Sequence, residues 1–502
     1  MVPIGKPAGS GLSEMAGELT PDICIIGGGP GGLAAAAAAA SAGAKVVLIE
    51  RGRLGGNNLV TGSIPSKALL ASAAVYEALR SGPRFGVTGA PLQVDLVRAR
   101  QHIGQATEGV AAGLTPERLA ALGITVIAGE ARFASPELIA VETTAIRARH
   151  VIIATGGAPA MPDIPGLDGA EALTFADAFE LTRHPSHLVV LGGGPYALEL
   201  AQAYNRLGMD ATVISETPFL PDFDPEHAAI VTDRLRAEGV GLRVAKVTLI
   251  ARRRSGLRLT LDDAGEGEAG FDASHLLVAT GRMPDVERLG LAAGGIASTA
   301  DGITVDRNFR TSNPRVRAIG DAIAGPALVE RARGEGEAVV RSILRRVPAG
   351  KARTIPAAAF TDPGLAAVGM SEPEARLHHR SIRVYRFPIG DSDRAHIEHD
   401  RTGALKVIAT VGGRRVVGAS IVGRGAAELI APWTLAVTNR LPLAAMESLV
   451  AAYPTRSEID RRLVIPEAGG LQSLGLTSGI GSLTEEWAKR IIVAIRGRGR
   501  AL

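Results

Sequence analysis

Residues 23–50 read ICIIGGGPGGLAAAAAAASAGAKVVLIE. A short β-branched run enters a glycine-rich turn, an alanine-rich segment of helix length follows, and a second apolar run closes on Glu50. That succession predicts a βαβ unit. Gly27, Gly29 and Gly32 stand at G-x-G-x-x-G spacing between strand and helix. Glycines there let the backbone approach a pyrophosphate at the helix N-terminus, where free N–H groups and the helix dipole favour negative charge. Glu50 stands where a carboxylate takes a ribose hydroxyl. The stretch is expected to bind a dinucleotide.

The pattern recurs at residues 188–215, LVVLGGGPYALELAQAYNRLGMDATVIS, with Gly192, Gly194 and Ala197 at G-x-G-x-x-A spacing. A second dinucleotide unit is expected. It ends in Ser215 and Glu216. Glu216 favours an unphosphorylated ribose and no arginine is its immediate sequence neighbour, so NADH is expected over NADPH. Each unit is followed by an apolar strand running into a tight turn, HVIIATGG at 150–157 and HLLVATGR at 275–282. VRAIGDA at 316–322 brings Asp321 to a strand end, where it suits a polyol or, equally, a solvated turn. From about residue 350 spaced strands such as ALKVIAT and a helical stretch, AAELIAPWTLAVTNR, read as a separate α+β domain.

Composition narrows the function classes. A chain of 502 residues exceeds one hydrophobic core, and 46% hydrophobic with 21% charged residues describes a globular protein. With 62 glycines and 3% aromatics it suits nucleotide phosphates better than nucleic acid, and a net charge of +4 selects no partner. One cysteine, Cys24, lies in the first apolar run, which excludes an intrachain disulfide, a CxxC pair and a cysteine-rich metal site and favours the cytoplasm. The histidines at 184, 187, 378, 379, 396 and 399 lack ligand spacing and read as solvated, so no metal is expected. Residues 1–20 read as a flexible leader, and no membrane span is expected. The end, LTEEWAKRIIVAIRGRGRAL, reads as an amphipathic helix packed on the protein's own surface, with membrane contact the alternative.

Taken in order, the first fingerprint, GGNNLVTGSIPSK at 55–67, ATGG, the second fingerprint, ATGR.P, AIGDA, FTDP and YPTRSE resemble the pyridine nucleotide-disulfide oxidoreductases, the family of dihydrolipoamide dehydrogenase, glutathione reductase and mercuric reductase. The resemblance spans roughly residues 22–466. It implies an α/β fold with two Rossmann-like dinucleotide-binding domains, for FAD and NAD(P), and a C-terminal α+β domain that makes a homodimer. The division expected is an FAD domain at 21–158 and 286–349, an NAD(P) domain at 159–285, an interface domain at 350–466 and a tail at 467–502. It further implies that Gly27, Gly29, Gly32, Glu50, Gly56, Thr155, Gly156 and Asp321 hold FAD. Gly192, Gly194, Ala197, Glu216, Gly281 and Arg282 are implied to hold the nicotinamide nucleotide. Lys67 and Glu199 match the pair near the flavin N5.

Two departures bear on activity. The family's reductases carry a redox disulfide at C-x4-C spacing, and here those positions are Asn58 and Ser63. Neither an amide nor a serine hydroxyl forms a disulfide or a thiolate. The family's C-terminal motif places a histidine before Pro-Thr, and here Tyr453 stands there, with Pro454, Thr455 and Glu458 kept. Tyrosine is a weak base near neutrality but a usable hydrogen-bond donor. The glycine turns are intact, so the expectation is an enzyme that passes hydride from NAD(P)H to FAD and then directly to a small acceptor such as a quinone. Asn58, Ser63 and Tyr453 are expected to line the acceptor pocket, the tyrosine coming from the partner subunit, and Glu458 is counted with Lys67 and Glu199 among the catalytic residues. The alternatives are a soluble pyridine nucleotide transhydrogenase, which GSIPSKAL and Tyr-Pro-Thr resemble, and a flavoprotein sensor or assembly partner. Glu330, where the family more usually has histidine, receives no role.

Overall fold

The computed structural model describes residues 17–90, 92–182, 184–262, 270–345, 347–349 and 354–464. The C-terminal stretch, expected to pack on the protein's own surface with membrane contact the alternative, and most of the leader lie outside those residues.

Three sheets organise the molecule. The first is parallel and five-stranded, in the order Val316–Ala318, His150–Ile153, Ile23–Ile26, Val46–Glu50, Ile124–Ala128. Its central strand, Ile23–Ile26, is buried at every residue, as a parallel strand covered on both faces must be. The sheet's edge strand comes from beyond residue 315, so the second nucleotide unit is inserted within the first. Helix Pro30–Ser41 packs on helix Val329–Arg345 through glycine, and a Cβ on Gly336 would stand 2.5 Å from the Gly31 carbonyl oxygen.

The second sheet is parallel, in the order Gly241–Val244, Ala211–Ser215, Leu188–Leu191, His275–Val278. Helix Pro195–Arg206 lies on one face, and an antiparallel meander, Lys246–Arg253, Gly256–Asp262 and Gly270–Ala273, contributes Ile250 and Leu259 to the core of Val189, Ile214 and Leu276 on the other. The third sheet is antiparallel and five-stranded: Ala357–Ala359, Gly364–Gly369, Val416–Gly423, Ala404–Thr410, Ile382–Pro388. Its core centres on Trp433, from helix Ala431–Thr438, which has no exposed surface.

A buried charge cluster ties the second and third sheets together. Lys406 is held by Asp224 at 2.7 Å, Glu372 at 2.9 Å and Glu226 at 3.2 Å. Arg386 and Lys406 hold the Glu226 carboxyl down at about 2. Burial of Lys406 is tolerable only because three carboxylates compensate it.

Two expectations are corrected. Gly17–Leu19, assigned to the leader, is a strand in parallel register with Thr144–Ile146, and Glu18 pairs with Arg147 at 3.1 Å. The ladder satisfies backbone groups that a free leader would leave to water. His187 is not simply solvated, since its ring bonds Thr212 Oγ1 at 2.9 Å and stacks on Phe271. Among the described residues no helix is long and apolar enough to cross a membrane.

Candidate active site

The two glycine turns share one construction. Gly27 has φ +106°, and a Cβ there would stand 2.3 Å from the Ala154 carbonyl oxygen. Gly192 has φ +128° and the same 2.3 Å relation to Ala279. In both turns the strand must pass against its neighbour before the helix begins, which only glycine permits. Gly29 and Gly194 differ in kind. Each is the N-cap of its helix with no side-chain cap, and a Cβ on either would meet nothing within 4 Å. Neither helix start has a side-chain cap, and the space beside its cap glycine is open, which is what a pyrophosphate requires.

At the first turn Glu50 accepts from Gly28 N at 2.6 Å and Gly52 N at 2.7 Å, which fixes the carboxylate at the strand end. Gly56 (φ +55°) lies so near that a Cβ on it would stand 3.0 Å from Gly29 Cα. Gly156 has φ +74°. Beside it Thr155 Oγ1 is buried with no hydrogen-bond partner among the described residues. A buried hydroxyl without a partner is costly, and a polar cofactor atom would relieve it. The open cradle at Gly29 and the orphaned Thr155 hydroxyl fit FAD.

At the second turn Ser215, not Glu216, occupies the position that Glu50 has at the first. A Cβ on Gly193 would stand 2.4 Å from Ser215 Oγ, and Glu216 follows one residue later, exposed. Ala197 is fully buried and Gly281 has φ +126°. Arg282 does not reach freely toward a nucleotide. It donates from Nε to Asp321 at 3.0 Å and from Nη2 to the Gly157 carbonyl at 2.6 Å, and lies 4.6 Å from the Phe175 ring centre. Asn57 Nδ2 donates to the same carbonyl at 2.6 Å. Asp321, Arg282 and Asn57 therefore form one hydrogen-bonded group at the edge of the first nucleotide site.

Lys67 and Glu199 meet at 2.6 Å. Lys67 lies on helix Ser63–Ser81 and Glu199 on helix Pro195–Arg206, so the pair joins the two nucleotide units. The other carboxylate oxygen of Glu199 accepts from Phe360 N at 2.8 Å, and the Lys67 ammonium sits 4.3 Å over the Phe360 ring. Tyr196, the residue after the second turn's proline, reaches across to donate to the Thr61 carbonyl at 3.3 Å.

Asn58 lies on the short helix Gly56–Val60 and Ser63 begins the next, with Gly62 between. A Cβ on Gly62 would stand 3.2 Å from Asn58 Cα, so the glycine folds the second helix back toward Asn58. Cys24, the single cysteine, is buried in the central strand, and burial pushes its thiol up to about 12. No sulfur stands at the turn.

Tyr453 is 71% exposed in the single chain. Its hydroxyl donates to Asp393 Oδ2 at 3.0 Å. Glu458 instead lies 3.8 Å from Arg462, and its Oε2 is buried without a hydrogen-bond partner among the described residues. The sequence reading missed Asp393, Phe360, Tyr196 and Asn57. Asn57 and Tyr196 adjoin quoted motifs and could have been found there, whereas nothing local marks Asp393. Glu330 is exposed and pairs only with Arg333 among the described residues. Among those residues no group of His, Cys, Asp or Glu is arranged for a metal ion.

Comparison with known proteins agrees with this geometry. Residues 21–336 match the model of the pyridine nucleotide-disulphide oxidoreductase family and residues 355–462 its dimerisation domain. The chain is 31% identical to mercuric reductase of Staphylococcus aureus over 87% of its length and 80% of that protein. It is 32% identical to dihydrolipoyl dehydrogenase of Geobacillus stearothermophilus, over 87% of this chain and 94% of that one. Among solved structures, LpdA of Mycobacterium tuberculosis superposes with a TM-score of 0.81 at 27% identity, covering 89% of this chain and 98% of that one. The HOCl-induced flavoprotein disulfide reductase RclA of Escherichia coli superposes at 0.78 with 26% identity, covering 88% and 99%.

Proposed function

The chain belongs to the pyridine nucleotide-disulphide oxidoreductase family, and we propose that it is an NAD(P)H oxidoreductase without a redox disulfide, whose electrons go directly to a diffusible acceptor such as a quinone. The observation that carries this reading is the pair Asn58 and Ser63 at the disulfide positions, with the one cysteine buried away from them. FAD, when bound, supplies the hydride chemistry, taking an electron pair from the nicotinamide and yielding it to the acceptor.

The chain's own residues do the rest. Gly29 opens the cradle for the flavin pyrophosphate, Gly27 and Gly32 let strand and helix pack closely around it, Glu50 takes the ribose, and Thr155 and Asp321 hold the remaining polar atoms. Gly192, Gly194 and Ala197 form the corresponding turn for the dinucleotide. NADH is favoured modestly, because Glu216 adds negative charge near a ribose position occupied by the neutral Ser215. Lys67, fixed by Glu199 and Phe360, places one positive charge between the two nucleotide units. The Asn58 amide and Ser63 hydroxyl orient the acceptor carbonyl and stabilise negative charge on its oxygen. Reduction of a quinone needs a hydride and one solvent proton, and the Ser63 hydroxyl can relay that proton.

We further propose a cytoplasmic homodimer in which the exposed Tyr453 of one subunit closes the acceptor pocket of the other. The dimerisation-domain match supports the homodimer. The domain division is read as 21–158 with 286–349, 159–285 and 350–466.

Anaerobic titration with NADH is the test, followed by steady-state assays without added thiols. The expected result is a two-electron endpoint with no thiolate-to-flavin charge-transfer band, and turnover on benzoquinone. Lipoamide or glutathione disulfide reduced at comparable rate would refute the proposal. GSIPSKAL and Tyr453 also suit a transhydrogenase, and NADH-driven reduction of thio-NADP⁺ faster than of any quinone would establish that reading instead.

A further inference from the structure

Tyr453 has one O–H to donate, and it is directed at Asp393. The loop carrying it is tied to helix Asp393–Ile397 and its C-cap at three points: Tyr453 Oη to Asp393 Oδ2 at 3.0 Å, Arg394 Nη1 to the Pro454 carbonyl at 3.3 Å, and Arg456 to Glu398. Asp393 is held in turn by Arg462 Nη2 at 3.0 Å. Arg462 and Tyr453 keep the Asp393 carboxyl below its usual range, and Asp393 holds the Tyr453 hydroxyl above its own. Of the other charges nearby, Glu458 pushes Tyr453 the same way, Arg462 opposes it, and His396 helps hold Asp393 down. A neutral phenol whose only hydrogen is donated to a carboxylate has lone pairs left to offer.

We propose that Asp393 is a positioning residue that sets the polarity of the acceptor pocket: by accepting the hydrogen bond of the Tyr453 hydroxyl it leaves the phenol oxygen to act as a hydrogen-bond acceptor toward the substrate. The pocket then selects quinone-type acceptors that carry a hydroxyl near the reducible carbonyl. The inference rests on the functional reading above, in which Asn58 and Ser63 address the carbonyl and Tyr453 of the partner subunit faces them. It assigns those two the donating role and leaves the tyrosine to recognise a donor on the substrate.

The test compares the wild-type holoenzyme with Tyr453→Phe, Asp393→Ala and the more conservative Asp393→Asn. Two quinones serve as probes, methyl-benzoquinone and hydroxymethyl-benzoquinone, which differ only by the hydroxyl. The ratio of their kcat/KM values is expected to favour the hydroxymethyl compound in wild type by about tenfold over Tyr453→Phe, expressed in KM, as one hydrogen bond allows. Asp393→Ala should lose that preference or reverse it, because the freed hydroxyl becomes a donor. Independently of activity, ultraviolet difference titration should show a tyrosine, absent from Tyr453→Phe, ionising above about 10 in wild type and lower in both Asp393 variants. Steady turnover with one ratio in all four proteins, or an unmoved titration, overturns this inference alone. Flavin reduction by NADH with turnover on neither quinone overturns the functional reading and this inference with it.

Discussion

Replacing Glu199 by glutamine probes the join between the nucleotide units. The carboxylate is 2% exposed and accepts twice, from Lys67 Nζ at 2.6 Å and from Phe360 N at 2.8 Å. A glutamine of the same shape has one carbonyl oxygen, so one of the two donors must face its NH₂. Phe360 N is fixed in the backbone and keeps the oxygen. Lys67, whose side chain is 33% exposed, turns toward water. The loss is a charge-assisted hydrogen bond discounted for the solvent that Lys67 can reach, about 2 kcal/mol. If the pair positions the ammonium for hydride arrival, flavin reduction slows by about 10–30-fold in proportion. Stopped-flow reduction by NADH measures the rate, and a double-mutant cycle with Lys67→Met measures the coupling, since removing both partners costs less than removing one. Additivity within about 0.4 kcal/mol, with an unchanged reduction rate, would refute the reasoning.

Two further outcomes follow from the same geometry. Gly29→Ala, where a Cβ meets open space, should fold yet release FAD more readily, whereas Gly32→Ala would place a Cβ 1.9 Å from the Gly27 carbonyl oxygen and should lose the folded turn; flavin fluorescence on dilution separates the two. Asp460 is fully buried with one oxygen bonded to Trp433 Nε1 at 2.7 Å and the other without a partner among the described residues, and burial pushes its carboxyl up to about 7. The native state therefore binds a proton that the unfolded chain releases near its ordinary value, so stability falls as pH rises from about 4 to about 7 and levels off above. Asp460→Asn should flatten that dependence and be the more stable protein at about pH 8, as denaturation midpoints will show.

The sequence by itself determined the two nucleotide turns, their order, the family and the absence of a cysteine pair. Those features rest on positions where the backbone dictates residue type. Gly27 and Gly192 must pass within contact of Ala154 and Ala279, and such a constraint leaves a glycine that can be read without knowing its neighbour. The missing disulfide is equally legible, because one cysteine cannot form it in any fold. Pairing Lys67 with Glu199 was legible only through the family motif, and the structure adds Phe360, which lies 161 residues from the glutamate it fixes.

Tertiary structure alone decided the partners of the polar side chains. Tyr453 could have been read with Glu458, five residues on, but its hydroxyl meets Asp393, 60 residues away, because helix Asp393–Ile397 packs beside the loop. Arg282 follows a nucleotide motif, yet its guanidinium turns to Asp321 and Gly157 across the seam between two sheets. Spacing fixes where a backbone can go, but a side chain's partner depends on which distant segment the packing sets against it, and that is not encoded in any local stretch.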